Sequence, residues 1–298
     1  MVKIIIFVAA YLILAPLVGG LLTGADRIIT ARMQGRVGPP LLQPFYDVFK
    51  LLEKEPVTVN KAQDFYVMCF FVFMLITGSL FFAGSNLLLI IFALTLSCMF
   101  LVIAAYSSNS PYAQVGAERE LLQIMAYEPM ILMVAIGFYL YTGSFEVSEI
   151  ITYGQMPVFP LLGIFAGYVF ILTIKFRKSP FDLSVSHHGH QELVKGLTTE
   201  ISGRSLALIE IAHWYENVFL LGIVFLFFAD GTPVGIAVGI FACLATYFFE
   251  ILIDNSFARM KWQFALNATW IVAAGIGTAN LAVLYSPRFI ELFFSYFG

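Results

Sequence analysis

The sequence predicts an all-α, polytopic membrane protein with eight transmembrane helices and one amphipathic cytoplasmic helix. Of its 298 residues, 60% are hydrophobic and 12% are charged, whereas about 25% are charged in soluble domains. The mean hydropathy of +0.89 agrees. Long apolar runs recur, and over such lengths helices satisfy their own backbone in lipid. We therefore interpret residues 1–298 as one integral domain of the cell membrane.

Eight apolar runs are long enough to cross a bilayer as helices. They lie near residues 2–22, 65–83, 87–106, 121–141, 158–174, 206–228, 234–253 and 267–285. The first is interpreted as a spanning helix and not a removed signal, because no small-residue cleavage site follows a short apolar region.

The basic residues indicate which loops face the cytoplasm. If both termini lie on one side, all Lys and Arg residues except Lys3 and Arg288 fall on the other side. Because cytoplasmic loops are enriched in Lys and Arg, we expect both termini outside and four long loops inside. Those loops are 23–64, 107–120, 175–205 and 254–266.

On the expected outer side, the loop at 142–157 contains Glu146 and Glu149 and no basic residue. This composition is typical of a solvated polar connector, and we expect it to have no further role.

The first cytoplasmic loop contains an amphipathic helix. After the Gly38-Pro39-Pro40 turn, apolar residues recur at helical spacing over 41–52, with polar residues on the other side. Such a helix lies on the membrane surface or under a partner protein. We predict a docking surface for a soluble partner that includes Arg32, Arg36, Gln43, Asp47, Lys50 and Arg119.

Carboxylates also occur inside the predicted spans. Glu128 lies in the fourth span beside Pro129, which can open a kink to water, and we expect Glu128 to face the bundle interior. Glu250 and Asp254 are four residues apart and share one face of the seventh span.

The stretch from 175 to 217 concentrates ionisable residues between apolar runs. Lys175, Arg177 and Lys178 open it, and the positive-inside pattern alone explains them. Asp182 follows in a turn, where it can cap a helix. Glu210 and His213 are three residues apart, so they lie along one side of a helix with Glu216.

The histidines His187, His188 and His190, with Glu192, match no metal-ligand spacing. A proton relay or a partner interface is the favoured interpretation for this loop and Asp182. A solvated loop and a metal site remain alternatives, and we predict no metal.

Buried Asp, Glu and His residues are the usual components of proton pathways in membranes. We predict proton transfer or coupling through Glu128, Glu192, Glu200, Glu210, His213, Glu216, Glu250 and Asp254. The alternative is that these acids pair with Arg119 or Arg204 and lock the fold.

Motifs for redox chemistry are missing. The sequence has no phosphate-binding loop, dinucleotide fingerprint or nucleophile elbow, and its three cysteines are not paired as cluster ligands. If the chain serves a redox enzyme, the electron carriers belong to partner subunits.

Several motifs together resemble the NuoH subunit family of respiratory complex I and its hydrogenase relatives. Residues 31–55 resemble the family's first cytoplasmic segment, and 180–183, 192–196 and 199–203 resemble its PFDL, ELV-x-G and EYSG run. The AYE at 126–128 resembles the family's SYE. Residues 115–120 and 254–259 look more like membrane-bound nickel–iron hydrogenases, and the His-rich insert most resembles the Ech type.

The resemblance implies a membrane anchor subunit of an energy-converting hydrogenase that evolves hydrogen with electrons from ferredoxin. The implied partners are the hydrogenase large and small subunits, a ferredoxin-like iron–sulfur subunit, an antiporter-like membrane subunit and membrane lipid, with no nucleic acid. The nickel–iron centre and iron–sulfur clusters would reside on those partners, and this chain would hold no cofactor. Coupling would move H⁺ or Na⁺.

Two other functions remain open. A complex I-type subunit that lines a quinone or methanophenazine chamber is the main alternative, and the altered insert after residue 183 counts against it. A stand-alone transporter is the third, and the amphipathic helix at 41–52 favours a docked partner instead.

Overall fold

The computed structural model describes residues 2–55, 60–185 and 194–286, with side chains from residue 4 onward. It is a bundle of α-helices, as predicted. The helices are α1 (Val2–Met33), α2 (Gln43–Glu53), α3 (Lys61–Phe82), α4 (Leu87–Tyr106), α5 (Pro111–Thr142), α6 (Val147–Thr152), α7 (Leu162–Lys175), α8 (Gly203–Phe228), α9 (Pro233–Ser256) and α10 (Trp262–Ile271). A π-helical turn, Val272–Gly277, continues α10 into a helix that ends at Ser286.

The predicted count of eight spanning helices is not confirmed. Within the described residues, seven helices have the length and hydropathy to cross a membrane. The remaining apolar helix, α7, has 14 residues and is therefore only about 21 Å long at 1.5 Å per residue. It is shorter than the ~30 Å hydrocarbon core, and the chain that follows it turns into the bundle.

Two helices extend well beyond their predicted ends. Both α1 and α5 contain 32 residues, so each is about 48 Å long and projects past the hydrocarbon core. The predicted end of α1 and the predicted start of α5 both lie where charged residues appear. Long charged side chains are nevertheless good helix formers. Parts of loops 23–64 and 107–120 are therefore helical.

The connector at 142–157 is not merely solvated, and that prediction is wrong. It contains α6, whose Val147 and Ile150 are fully buried. The backbone N–H of Leu87 donates to the carbonyl of Phe145 at 2.8 Å. Val147 and Ile150 are three residues apart and so share the inward face of this short helix. Glu146 and Glu149 beside them made the segment look polar in the sequence.

The amphipathic helix α2 is confirmed. Pro44 and Val48 are buried, whereas Tyr46 and Phe49 are exposed. The ring of Phe45 packs against Trp214 of α8 with centroids 5.1 Å apart. Helix α2 thus lies against α1 and α8, at the end of the bundle where the predicted cytoplasmic loops gather.

Candidate functional site

The site begins where α7 stops inside the bundle. Helix α7 runs antiparallel to α8, since the N–H of Val158 donates to Phe227 O at 2.8 Å and the Tyr168 hydroxyl donates to Leu220 O at 3.0 Å. At the last residue of α7, Lys175 Nζ lies 3.0 Å from Glu216 Oε1. The lysine therefore meets α8 near its middle, and the following loop is enclosed by helices.

Lys175 is buried among side chains from three other helices. Its ammonium group lies 4.4 Å from the centroid of the Tyr127 ring and 3.3 Å from Cys98 Sγ. A buried charge is costly unless it is paired, and the carboxylate of Glu216 supplies that pair. The cation–π contact with Tyr127 adds a second favourable electrostatic contact.

Arg177 joins α5 to α8. Its Nη2 donates to Glu120 Oε1 at 3.2 Å, and its Nη1 contacts the ring of His213. Burial acts to lower the pKa of Arg177, but attraction to the carboxylates of Glu120 and Glu216 outweighs burial and raises it. The guanidinium group therefore remains a permanent cation beside His213.

Lys178 connects the loop to α1 and α9. Its Nζ donates to Asp26 Oδ2 at 2.6 Å and lies 3.6 Å from Asp254 Oδ2. The other oxygen of Asp254 accepts the backbone N–H of Ser179 at 2.8 Å. Farther along the loop, Asp182 Oδ1 lies 3.6 Å from Nε of Arg259, a residue that follows α9.

Most of these charges, though not Glu120 or Arg259, line one cavity of about 540 Å³. Its Lys and Arg residues equal its Asp and Glu residues in number, and His213 is a further ionisable residue of the lining. The ionisable lining residues are Asp26, Arg27, Arg36, Lys175, Arg177, Lys178, Asp182, Glu210, His213, Glu216, Tyr247 and Asp254. The lining combines these charged groups with apolar side chains, and a space of this size can hold water molecules beside the charges, so the cavity can carry protons between side chains.

The predicted relay residues do not form one line. The cavity brings together Glu210, His213, Glu216 and Asp254. Glu200 is half-buried in a turn outside it. Glu192, His187, His188 and His190 lie outside the described residues.

Two acids of the predicted relay lie within helices away from the cavity lining. Glu128 of α5 is half-buried and accepts a hydrogen bond from Thr95 Oγ1 of α4 at 3.1 Å. Glu250 of α9 is fully buried, and neither carboxylate oxygen has a hydrogen-bond partner among the described residues. Their roles in proton transfer stay predictions.

Among the predicted docking residues, Arg32, Arg36 and Lys50 are exposed. Asp47 connects α2 to α1, and Gln43 supports it from within α2. Asp47 Oδ2 accepts from Arg27 Nη1 of α1 at 2.7 Å, and Asp47 Oδ1 accepts from Gln43 at 2.9 Å. Burial acts to raise the pKa of Asp47, but these two hydrogen bonds and the charge of Arg27 lower it overall.

Arg119, the last predicted docking residue, is half-buried and lies 3.5 Å from the carbonyl of Leu183. It therefore supports the loop from within the bundle.

Sequence reasoning missed the cations that organise the site. Lys175, Arg177 and Lys178 were explained by topology alone, and Asp26 and Glu120 were not considered as their partners. The available signal was the spacing of three cations directly after an apolar helix too short to span. Such cations require counter-ions if the loop folds inward.

Within the part of the chain that the structure describes, no group of three or more His, Cys, Asp or Glu residues is placed to hold a metal ion. Cys98 is buried and Cys69 and Cys243 are half-buried, and none forms a disulfide.

Several known proteins are similar to this chain over most of its length. A family model described as NADH dehydrogenase matches residues 3–285. Hydrogenase-4 component C of Escherichia coli (strain K12) is 29% identical, over 95% of this chain and 96% of that protein. NADH-ubiquinone oxidoreductase chain 1 of Patiria pectinifera is 30% identical, over 89% of each.

Among solved structures, a chain of the membrane-bound sulfane sulfur reductase, an archaeal respiratory membrane complex, has the same fold. Its TM-score is 0.85 at 25% identity, over 94% of this chain and 99% of that chain. The similarity therefore extends over nearly the whole bundle.

Proposed function

This chain belongs to the NADH dehydrogenase family, and we propose that it is the ion-translocating membrane anchor of a ferredoxin-dependent, hydrogen-evolving hydrogenase. It is a membrane subunit of the class found in complex I-like and hydrogenase-type complexes. In the proposed complex, the nickel–iron centre and iron–sulfur clusters reside on the large, small and ferredoxin-like subunits. An antiporter-like membrane subunit completes the path for H⁺ or Na⁺.

One observation carries the proposal. Three cations within four residues, Lys175, Arg177 and Lys178, pair with acids on four different helices. A change in the charge of one acid therefore alters the forces on the loop and, through it, on the other helices. Ion pairs in low-dielectric surroundings interact much more strongly than in water, so the signal is not screened.

His213 supplies a titratable group at the centre of this arrangement. Histidine is the side chain whose ordinary pKa lies closest to neutral. Its ring contacts the Arg177 guanidinium, which donates to Glu120. A proton arriving on His213 would remove the ring's acceptor and repel Arg177, shifting that cation toward Glu120. Proton movement and loop position are coupled in this way.

The exposed cations near this end of the bundle form the proposed docking surface for the soluble redox arm. Arg32, Arg36 and Lys50 are accessible and provide charge for a soluble redox arm. Reduction of that arm changes charge near the loop, and we propose that this change is relayed through Lys178 and Arg177 to Glu216.

The second candidate is a subunit that lines a quinone or methanophenazine chamber. The observation that favours it is the aromatic part of the cavity lining, Phe176, Trp214 and Tyr247. A natively purified complex that reduces a quinone and evolves no hydrogen would support this candidate instead.

The test uses the native complex reconstituted in liposomes, with reduced ferredoxin as donor. Hydrogen evolution and H⁺ or Na⁺ uptake are measured together for Glu216→Gln, Glu210→Gln and the exposed control Glu118→Gln. We expect the ions moved per hydrogen to fall about tenfold or more in the first two, because a relay amide cannot ionise. The control should keep the normal ratio.

Glu210→Gln is included because Glu216→Gln leaves Lys175 without its carboxylate and can lower the yield of assembled complex. A normal ion-to-hydrogen ratio in both cavity variants would refute the relay. A complex that contains no hydrogenase subunits would refute the assignment to a hydrogenase.

A further inference from the structure

A second, smaller cavity of about 250 Å³ lies between α1, α2 and α8. It is distinct from the loop cavity, although Arg27, Glu210 and Trp214 contribute to the walls of both. The ion pairs of Lys175, Arg177 and Lys178 lie outside this second space, whereas Glu210 of the proposed relay and Lys50 of the proposed docking surface lie on its wall.

The lining of the small cavity carries an excess of positive charge. Its basic residues are Arg27, Lys50, Lys54 and Lys195, and its acidic residues are Asp47 and Glu210. Asp47 is already satisfied, since Arg27 lies 2.7 Å from one oxygen and Gln43 lies 2.9 Å from the other. Three lysines therefore remain with one further carboxylate, and the space attracts an anion.

The position of α2 relates this cavity to the membrane surface. At helical spacing, α2 has three sides. Pro44 and Val48 are buried against the bundle, whereas Tyr46 and Phe49 are 56% and 61% exposed. The polar stripe with Asp47, Lys50 and Lys54 lies between these two sides. Exposed aromatic residues are typical of the membrane–water interface, so we place the exposed side of α2, and the cavity beside it, at that interface.

We propose that this cavity binds the phosphate-bearing headgroup of an anionic phospholipid, with phosphatidylglycerol as the representative ligand. The lysines receive the phosphate, and Val48, Leu51 and Trp214 provide an apolar wall. The acyl chains continue along the exposed side of α2 at Tyr46 and Phe49. Basic pockets between membrane helices are suited to anionic headgroups.

The volume agrees with a headgroup as the occupant. About 250 Å³ is just below the roughly 300–1,000 Å³ typical of pockets that enclose a drug-sized ligand. A whole lipid would not fit, but its phosphate and glycerol would. Bound there, the headgroup would link Lys50 of α2 to Lys195 through its charge and would pack against Trp214 of α8.

The test measures binding of phosphatidylglycerol to the purified complex in phosphatidylcholine nanodiscs with a graded content of the anionic lipid. The variant is Lys50→Gln/Lys54→Gln, and the matched control is Lys61→Gln/Lys261→Gln, which removes the same charge elsewhere. We expect affinity to fall about tenfold or more in the variant, given the contribution of each basic residue near the surface. Lys50→Arg/Lys54→Arg should retain binding.

Two competitors distinguish the lipid from a soluble anion. Inorganic phosphate should displace phosphatidylglycerol no better than sodium chloride at equal ionic strength. Displacement beyond the salt effect would assign the cavity to a soluble anion and overturn the proposal. Equal losses in the variant and the control, or none in either, would also overturn it. Native gels confirm that each variant complex is assembled.

Discussion

Lys175 Nζ and Glu216 Oε1 lie 3.0 Å apart, with side chains that are 4% and 5% exposed. The lysine ends a helix that stops within the bundle, and the glutamate lies near the middle of α8. The pair therefore places two opposite charges in the interior of a membrane protein, where neither is stable alone.

Removal of one member of this pair should be strongly destabilising. We expect Glu216→Ala to reduce the free energy of unfolding by about 3–5 kcal/mol, because the ammonium group stays buried without a partner. Unfolding of the detergent-solubilised chain in sodium dodecyl sulfate measures the change. The double variant Lys175→Met/Glu216→Leu should be less costly than either single substitution. Additive losses would contradict the pairing.

The close approach of α5 to the turn at 196–198 should make Gly116 sensitive to substitution. A Cβ at Gly116 would overlap the backbone nitrogen of Leu197, whereas a Cβ at Gly275 would meet nothing within 4 Å. We expect Gly116→Ala to cost about 1–3 kcal/mol through overpacking. Gly275→Ala is the matched control and should be neutral or slightly stabilising. Similar melting temperatures for both variants would contradict this packing.

The contact between α1 and α2 should depend on pH only in strong acid. Because the folded pKa of Asp47 lies below its usual 3.8, its pairing is fully present above that value and is lost as the pH falls through the lowered pKa. The Trp214 ring packs at a tilt against Phe45 of α2, so its fluorescence reports the contact. With Trp262 and Trp270 replaced by Phe, we expect constant emission from pH 7 to about 4 and a change below.

Asp47→Asn is the control for this titration. The variant should lack the acidic transition caused by Asp47, and its cost should not exceed about 1 kcal/mol because the pair is solvent-exposed. A transition near neutral pH in the parent protein would contradict the assignment.

Sidedness can be tested by labelling single cysteines in a background in which Cys69, Cys98 and Cys243 are Ala. Cysteines at Glu118 and Lys261 should react with a membrane-impermeant maleimide only in inside-out vesicles, since the basic loops are predicted to be cytoplasmic. A cysteine at Tyr153, which is 44% exposed, should react in intact cells. Labelling of all three from one side would contradict the predicted topology.

Much of the architecture was predictable from local pattern. The limits of α4 agree with its predicted run, and α2 was recognised from polar and apolar spacing. The end of α1 and the start of α5 were not predictable from local pattern, because charged residues extend a helix as readily as they end one. The inward face of α6 was concealed by Glu146 and Glu149.

The site was predicted only in part. Glu210, His213 and Glu216 follow from helical spacing, and the structure places all three on the loop cavity. Asp26 and Glu120 were missed because their partners come from residues 152 and 57 positions away in the chain. No periodicity relates such distant residues.

The sequence by itself determined the class of molecule, most of its helices and its amphipathic segment, because hydrophobicity and helical period act over neighbouring residues. The tertiary structure alone decided that α7 stops inside the bundle and that its three following cations turn inward. A basic run after an apolar helix is equally compatible with a solvated loop. Only the acids brought by α1, α5, α8 and α9 make its burial favourable, and packing alone brings those helices together.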